Sequence, residues 1–109
     1  MSQTFNIGIT IDFDRSLYSN GLQQNVVILN SLINELDNFK SFFIYQGKEP
    51  EIDLVDKKFC FPKKNILKAE TKIFDLIIMM GFTLGEKDII EIKNKNTNTK
   101  VVLLQCGNQ

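Results

Sequence analysis

The sequence predicts an α/β domain, doubly wound, with helices on both faces of a mainly parallel sheet. Three observations carry that expectation. The chain opens on period-two alternation, with Phe5, Ile7, Ile9 and Ile11 interleaved with Asn6, Gly8, Thr10 and Asp12. An amphipathic helical stretch follows after one loop. Two apolar runs, Leu76–Met80 and Val101–Leu104, then read as buried strands, the first with the continuous pattern of a central parallel strand covered on both faces. Strands alternating with helices require right-handed crossovers and therefore a parallel sheet.

Each element has its own signal. In the first strand the second face is small, so another group can approach it closely. A loop from Phe13 to Asn20 ends in the turn signal Ser19-Asn20-Gly21. Leu22, Val26, Leu29, Ile33 and Leu36 then recur at helical spacing, and Ile28 and Leu32 widen the stripe. Ser19 or Asn20 can cap this helix with a short side-chain oxygen, and Asp37-Asn38 ends it. Ser41–Tyr45 reads as a buried strand closed by Gly47, and residues 48–57 as a loop. A short aromatic strand from Lys58 to Phe61 stops at Pro62. Asn65–Ile73 allows two helical turns, Asp75–Met80 a central strand closed by Gly81, and Gly85–Asn94 a further helix. Val101–Gln105 is the last strand. The expected order is β-α-β-β-α-β-α-β over one domain, residues 1–109. The Asp75–Met80 strand should lie beside the first strand, with the Ser41–Tyr45 strand on its other side.

Composition sets outer bounds on the chemistry. Of the 109 residues 43% are hydrophobic and 24% charged, which is globular rather than disordered. Thirteen basic and thirteen acidic side chains cancel, so no overall field draws the chain to nucleic acid or membrane. With no histidine and two cysteines, the chain cannot supply a Ser-His-Asp or Cys-His apparatus or an all-cysteine zinc site. The longest apolar stretch, Leu76–Phe82, has seven residues, against roughly 20 for a membrane span. Cys60 and Cys106, in a chain without a basic leader before Arg15, are expected to stay reduced, and the protein to be cytoplasmic. Locally the charge is uneven. Residues 1–37 hold Arg15 against Asp12, Asp14, Glu35 and Asp37, while Lys64, Lys68 and Lys72 would line one helix face. That face reads either as a solvated surface or as a phosphate- or lipid-facing patch.

In an open α/β sheet, ligands bind beyond the carboxyl ends of the strands where the strand order reverses. That point falls between the Ser19-Asn20-Gly21 loop and the Gly81-Phe82-Thr83 loop, with Gln24 and Thr83 able to add hydrogen bonds. The same residues also have a purely architectural reading, in which they cap and turn and nothing binds. The dinucleotide fingerprint is absent, because Gly8 lies inside the strand and Gly21 comes thirteen residues later. Gly81-Phe-Thr-Leu-Gly85-Glu-Lys87 lacks the spacing and ending of a phosphate loop. Asp12 and Asp14 allow cation binding or acid–base work, or else form a solvated pair at a loop start. No cofactor or metal is implied.

Several stretches carry a family resemblance. Ile7-Gly8-Ile9-Thr10-Ile11 with Ser19-Asn20-Gly21-Leu22-Gln23-Gln24-Asn25-Val26 resembles the start of a bacterial glycosyltransferase-like family classed as a domain of unknown function. Asp75-Leu76-Ile77-Ile78-Met79-Met80-Gly81 resembles its later strand and turn, with Met79 where the family carries Glu. Lys100-Val101-Val102 and Cys106-Gly107-Asn108 resemble its next strand and end. The resemblance implies a Rossmann-like three-layer α/β/α fold, the acceptor-side N-terminal half of a two-domain GT-B enzyme. Ser19, Gly21, Gln24, Asn25 and Gly81 carry over as the candidate substrate cleft, and no catalytic residue does.

Three expectations follow. The chain is a glycosyltransferase half whose nucleotide-sugar-binding half is missing, supplied on a separate chain, so it should be inactive alone. The alternative is a non-catalytic Rossmann-like binding module. Because the sequence stops just past a strand, Val101–Leu104 should stay partly uncovered and favour self-association.

Overall fold

The computed structural model describes residues 4–13, 21–47, 60–63, 74–95 and 98–104. Along these run β1 (Phe5–Asp12), α1 (Gly21–Asn34), β2 (Phe39–Gln46), β3 (Cys60–Pro62), β4 (Leu76–Met79), α2 (Glu86–Lys95) and β5 (Lys100–Leu103). The strands form one five-stranded sheet in the order β3-β2-β1-β4-β5, with every pairing parallel. β1 lies between β2 and β4, with Ile9 opposite Phe43 on one side and Ile78 on the other. This is the doubly wound, Rossmann-like arrangement that the alternation of strands and helices requires. The expected helix over 65–73, the 48–57 loop and the Lys64, Lys68, Lys72 face lie outside the described residues.

Strand parity divides the core in two. Ile7, Ile9 and Ile11 of β1, with Phe43 and Tyr45 of β2, point to the face where α1 seats Val26. Phe42, Ile44, Ile77 and Met79 point to the opposite face, where Phe74, Leu84 and Ile92 of α2 complete the packing. Each helix therefore covers one face. On the second face Phe74 meets Phe42 and Phe61 edge-on, with ring centroids 5.9 and 6.1 Å apart.

The small face of β1 is filled by side chains rather than by a helix or ligand. A Cβ on Gly8 would stand 2.7 Å from Ile44 Cδ1 and 3.2 Å from both Ile44 Cγ1 and Phe74 Cδ1. Ile44 is fully buried, so its side chain has little room to yield. Gly8→Ala should therefore cost about 1–3 kcal/mol through overpacking. A denaturant titration showing no loss would mean that the Ile44–Phe74 contact relaxes freely.

α1 ends at Asn34, two residues before its apolar spacing does. Glu35 and Leu36 donate backbone bonds to Leu32 and Ile33, tightening the last turn, and Asn38 takes a left-handed φ of 70°. Leu36 thus falls beyond the helix and is exposed, as are Ile28 and Leu32, so the expected core stripe narrows to Val26, Leu29 and Ile33. The reason is geometric: α1 touches the sheet over β1 and β2, and its remaining apolar flank meets no described element. The last strand ends at Leu103, and Val102, Leu103 and Leu104 are exposed, as expected of a partly uncovered strand. Pro62 falls within β3 as its final residue, which an outer strand tolerates.

Candidate functional site

The carboxyl edge of the sheet is organised by Thr10. This side chain is fully buried near the end of β1. Its hydroxyl donates to the Phe82 carbonyl at 2.7 Å and accepts from the N–H groups of Met80 at 2.8 Å and Phe82 at 3.2 Å. The Gly81 N–H in turn donates to the Thr10 carbonyl at 2.9 Å. The turn after β4 is thereby pinned across the end of β1, at the place where the strand order reverses. Leu84 closes the loop by donating its N–H to Met79 Sδ at 3.3 Å.

These bonds change what the Gly81-Phe82-Thr83 turn can do. Its N–H groups at residues 80, 81 and 82 already have partners within the fold, so they do not form an anion cradle. Gly81 is buried within this pinned turn. Thr83 stays exposed. The following helix is also ill suited to an anion, because Glu86 and Asp88 occupy its first turn and complement its dipole themselves. The N-terminus of α1 differs. It has no acidic residue in its first turn, and Gln24 and Asn25 are exposed there. Of the five predicted cleft residues, the structure sets Gly21, Gln24 and Asn25 together on the start of α1 and buries Gly81. Ser19 lies outside the described residues, as do Asp14 and Cys106. Cys60, the first residue of β3, is half-buried.

Asp12 is not the solvated member of an acidic pair. It is buried at the end of β1, and Gln46 at the end of β2 donates an amide N–H to its Oδ2 at 3.0 Å. The register pairs these two residues directly. Across the same edge Lys63, just past β3, holds its ammonium 5.9 Å from the centroid of the Phe82 ring, within the range of a cation–π contact. A carboxylate, an amide, an ammonium and an aromatic ring thus arise from the ends of four neighbouring strands. Sequence reasoning missed Thr10, Gln46 and Lys63. A signal was present for Gln46, which ends β2 at the same place that Asp12 occupies in β1.

Among the described residues no three His, Cys, Asp or Glu side chains gather as metal ligands would. None of the described helices is long and apolar enough to cross a membrane. No curated protein and no solved structure matches the chain. Residues 7–109 match the family model described as "Protein of unknown function (DUF2827)", which spans β1 through β5 and the whole carboxyl edge, and the chain belongs to that family.

Proposed function

We propose that this chain is the acceptor-side half of a glycosyl-transfer enzyme, holding a saccharide at the carboxyl edge of its sheet. The observation that supports the reading is the Asp12–Gln46 pair set among the same strand ends as Phe82. Sugars are bound by planar carboxylate and amide groups that match their hydroxyls, and by aromatic faces that cover their C–H surfaces. The acid-free N-terminus of α1 suits a phosphate or carboxylate on the same ligand. Gln24 and Asn25 stand beside it. As one half of such an enzyme, the chain by itself should not hydrolyse or transfer from nucleotide sugars above background. Saturation-transfer NMR against a panel of monosaccharides, sugar phosphates and nucleotide sugars tests the binding step. A saturable signal lost in Gln46→Ala and weakened in Gln24→Ala is expected. A panel without saturable binders removes the reading. Turnover by the chain alone that Gln24→Ala abolishes would show that this half suffices for catalysis, against the proposal.

A second reading, a binding module that associates through Val101–Leu104, is favoured by a separate observation. β5 is the outer strand of the sheet, and Val102, Leu103 and Leu104 on and just after it are exposed. An outer strand with apolar side chains is open to another chain, whereas the opposite outer strand ends in Pro62 followed by Lys63, a combination that discourages pairing.

A further inference from the structure

α1 carries no charged residue over its 14 positions, whereas six of the ten residues of α2 are charged. A helix lying on the surface of a sheet normally sets charge toward water. The uncharged outer flank of α1 instead presents Ile28 and Leu32, 52% and 54% exposed. The direction of this flank follows from Asn34, whose side chain pairs with the backbone N–H and carbonyl of Ser41 in β2. Leu32 precedes Asn34 by two residues, about 200° around the helix. It therefore lies on the side away from β2, toward β4 and β5.

On that side no described element covers the same sheet face. Val102 pairs in register with Ile78, and Lys100 with Leu76, so these residues share the α1 face with Leu104. Leu76 and Ile78 are partly buried, and Val102 and Leu104 are 44% and 40% exposed. β4 and β5 extend the sheet about 10 Å beyond β1, the width of one helix. The result is an apolar trough with α1 as one wall and Leu76, Ile78, Val102 and Leu104 as its floor. Lys100, at one end, is the single charge on that floor among the described residues.

A helix entering the trough must bring an uncharged face, because a charged one would lose its water without gaining a partner. Of the two described helices only α1 has such a face. The ridge that fits the trough stands beside it on the same surface, which is the self-complementary condition for a two-fold contact. We propose that two copies of this chain associate face to face, each laying its α1 in the trough of the other. The proposal rests on the second reading above and specifies its occupant and its surface. Edge pairing of β5 would involve the outward backbone groups of that strand and leave α1 untouched.

Sedimentation velocity from low to high micromolar concentration tests this, with circular dichroism to check folding. Leu32 and Val102 are exposed, so Leu32→Glu and Val102→Glu should fold normally. Each is expected to weaken the dimer at least about 100-fold, because it places unpaired carboxylates in the contact. Leu103→Pro provides the control. Lys100 and Leu104 turn their N–H groups to Asp75 and Met79, so the Leu103 N–H faces outward, and its loss blocks edge pairing alone. The dimer should survive Leu103→Pro. Association that resists Leu32→Glu but is lost in Leu103→Pro overturns the trough and leaves the second reading standing. A monomer throughout overturns both. Should Leu103→Pro fail to fold, an interchain disulfide between Leu32→Cys and Val102→Cys, with Cys60 and Cys106 changed to Ser, decides the matter. It forms through the trough and not through the edge.

Discussion

Phe74→Ala should cost this domain about 3–5 kcal/mol, the usual range for removing a large aromatic from a packed interior. Phe74 is 2% exposed and lies just before β4, on the face that α2 covers. Its ring meets Phe42 and Phe61 edge-on and lies against the backbone of Gly8, so three strands lose a neighbour at once. The Phe74 carbonyl also accepts a hydrogen bond from the buried Thr99 hydroxyl, which ties the start of β4 to the segment entering β5. Alanine keeps that carbonyl but leaves a void that Ile44 and Phe42, both held in β2, can fill only in part. Against a stability of about 5–15 kcal/mol, the loss is a large fraction of the total. Urea titration at constant m-value is the measurement, with Phe74→Leu expected to lose less because it preserves more volume. A cost under about 1 kcal/mol in Phe74→Ala would mean that the aromatic cluster is not a core.

Thr10→Val should be nearly as damaging although it changes almost no volume. Valine keeps the branched shape but removes the hydroxyl that serves three backbone groups of the 80–82 turn. The Met80 and Phe82 N–H groups and the Phe82 carbonyl would then lack that partner in a buried place. Leaving one such group unpaired costs about 1–3 kcal/mol, so about 2–4 kcal/mol is expected once the turn relaxes. Hydrogen exchange at Met80 and Phe82 gives the second readout. Both amides should exchange much faster in the variant, while amides in the middle of β2 change only with global stability. Thr10→Ser retains the hydroxyl and should restore most of the protection. Unchanged exchange in Thr10→Val would show that the turn is held by the Gly81–Thr10 backbone bond and the Leu84–Met79 contact alone. The same turn closes the carboxyl edge, so its loosening should also weaken any saccharide binding there.

The sequence by itself determined the architecture. Period-two alternation in β1, helical spacing from Leu22 to Ile33 and the continuous run at Leu76–Met80 lead to parallel strands with β1 between β2 and β4. They do so because backbone periodicity and crossover handedness are local and general properties. The place of the strand reversal was legible for the same reason. What the tertiary structure decided is which groups at that place are free and which are already used. Gly81 reads as a turn or cleft residue until Thr10, some seventy residues earlier, is seen to bind the turn around it. Asp12 reads as solvated until β2 brings Gln46 opposite it. Ile28, Leu32 and Leu36 satisfy a helical period as well as Val26 does. A period gives a helix its apolar arc but not the width of the surface it meets. α1 lies over β1 and β2, so Ile28 and Leu32 on the rest of its arc, and Val102 and Leu104 at the β5 edge, stay exposed.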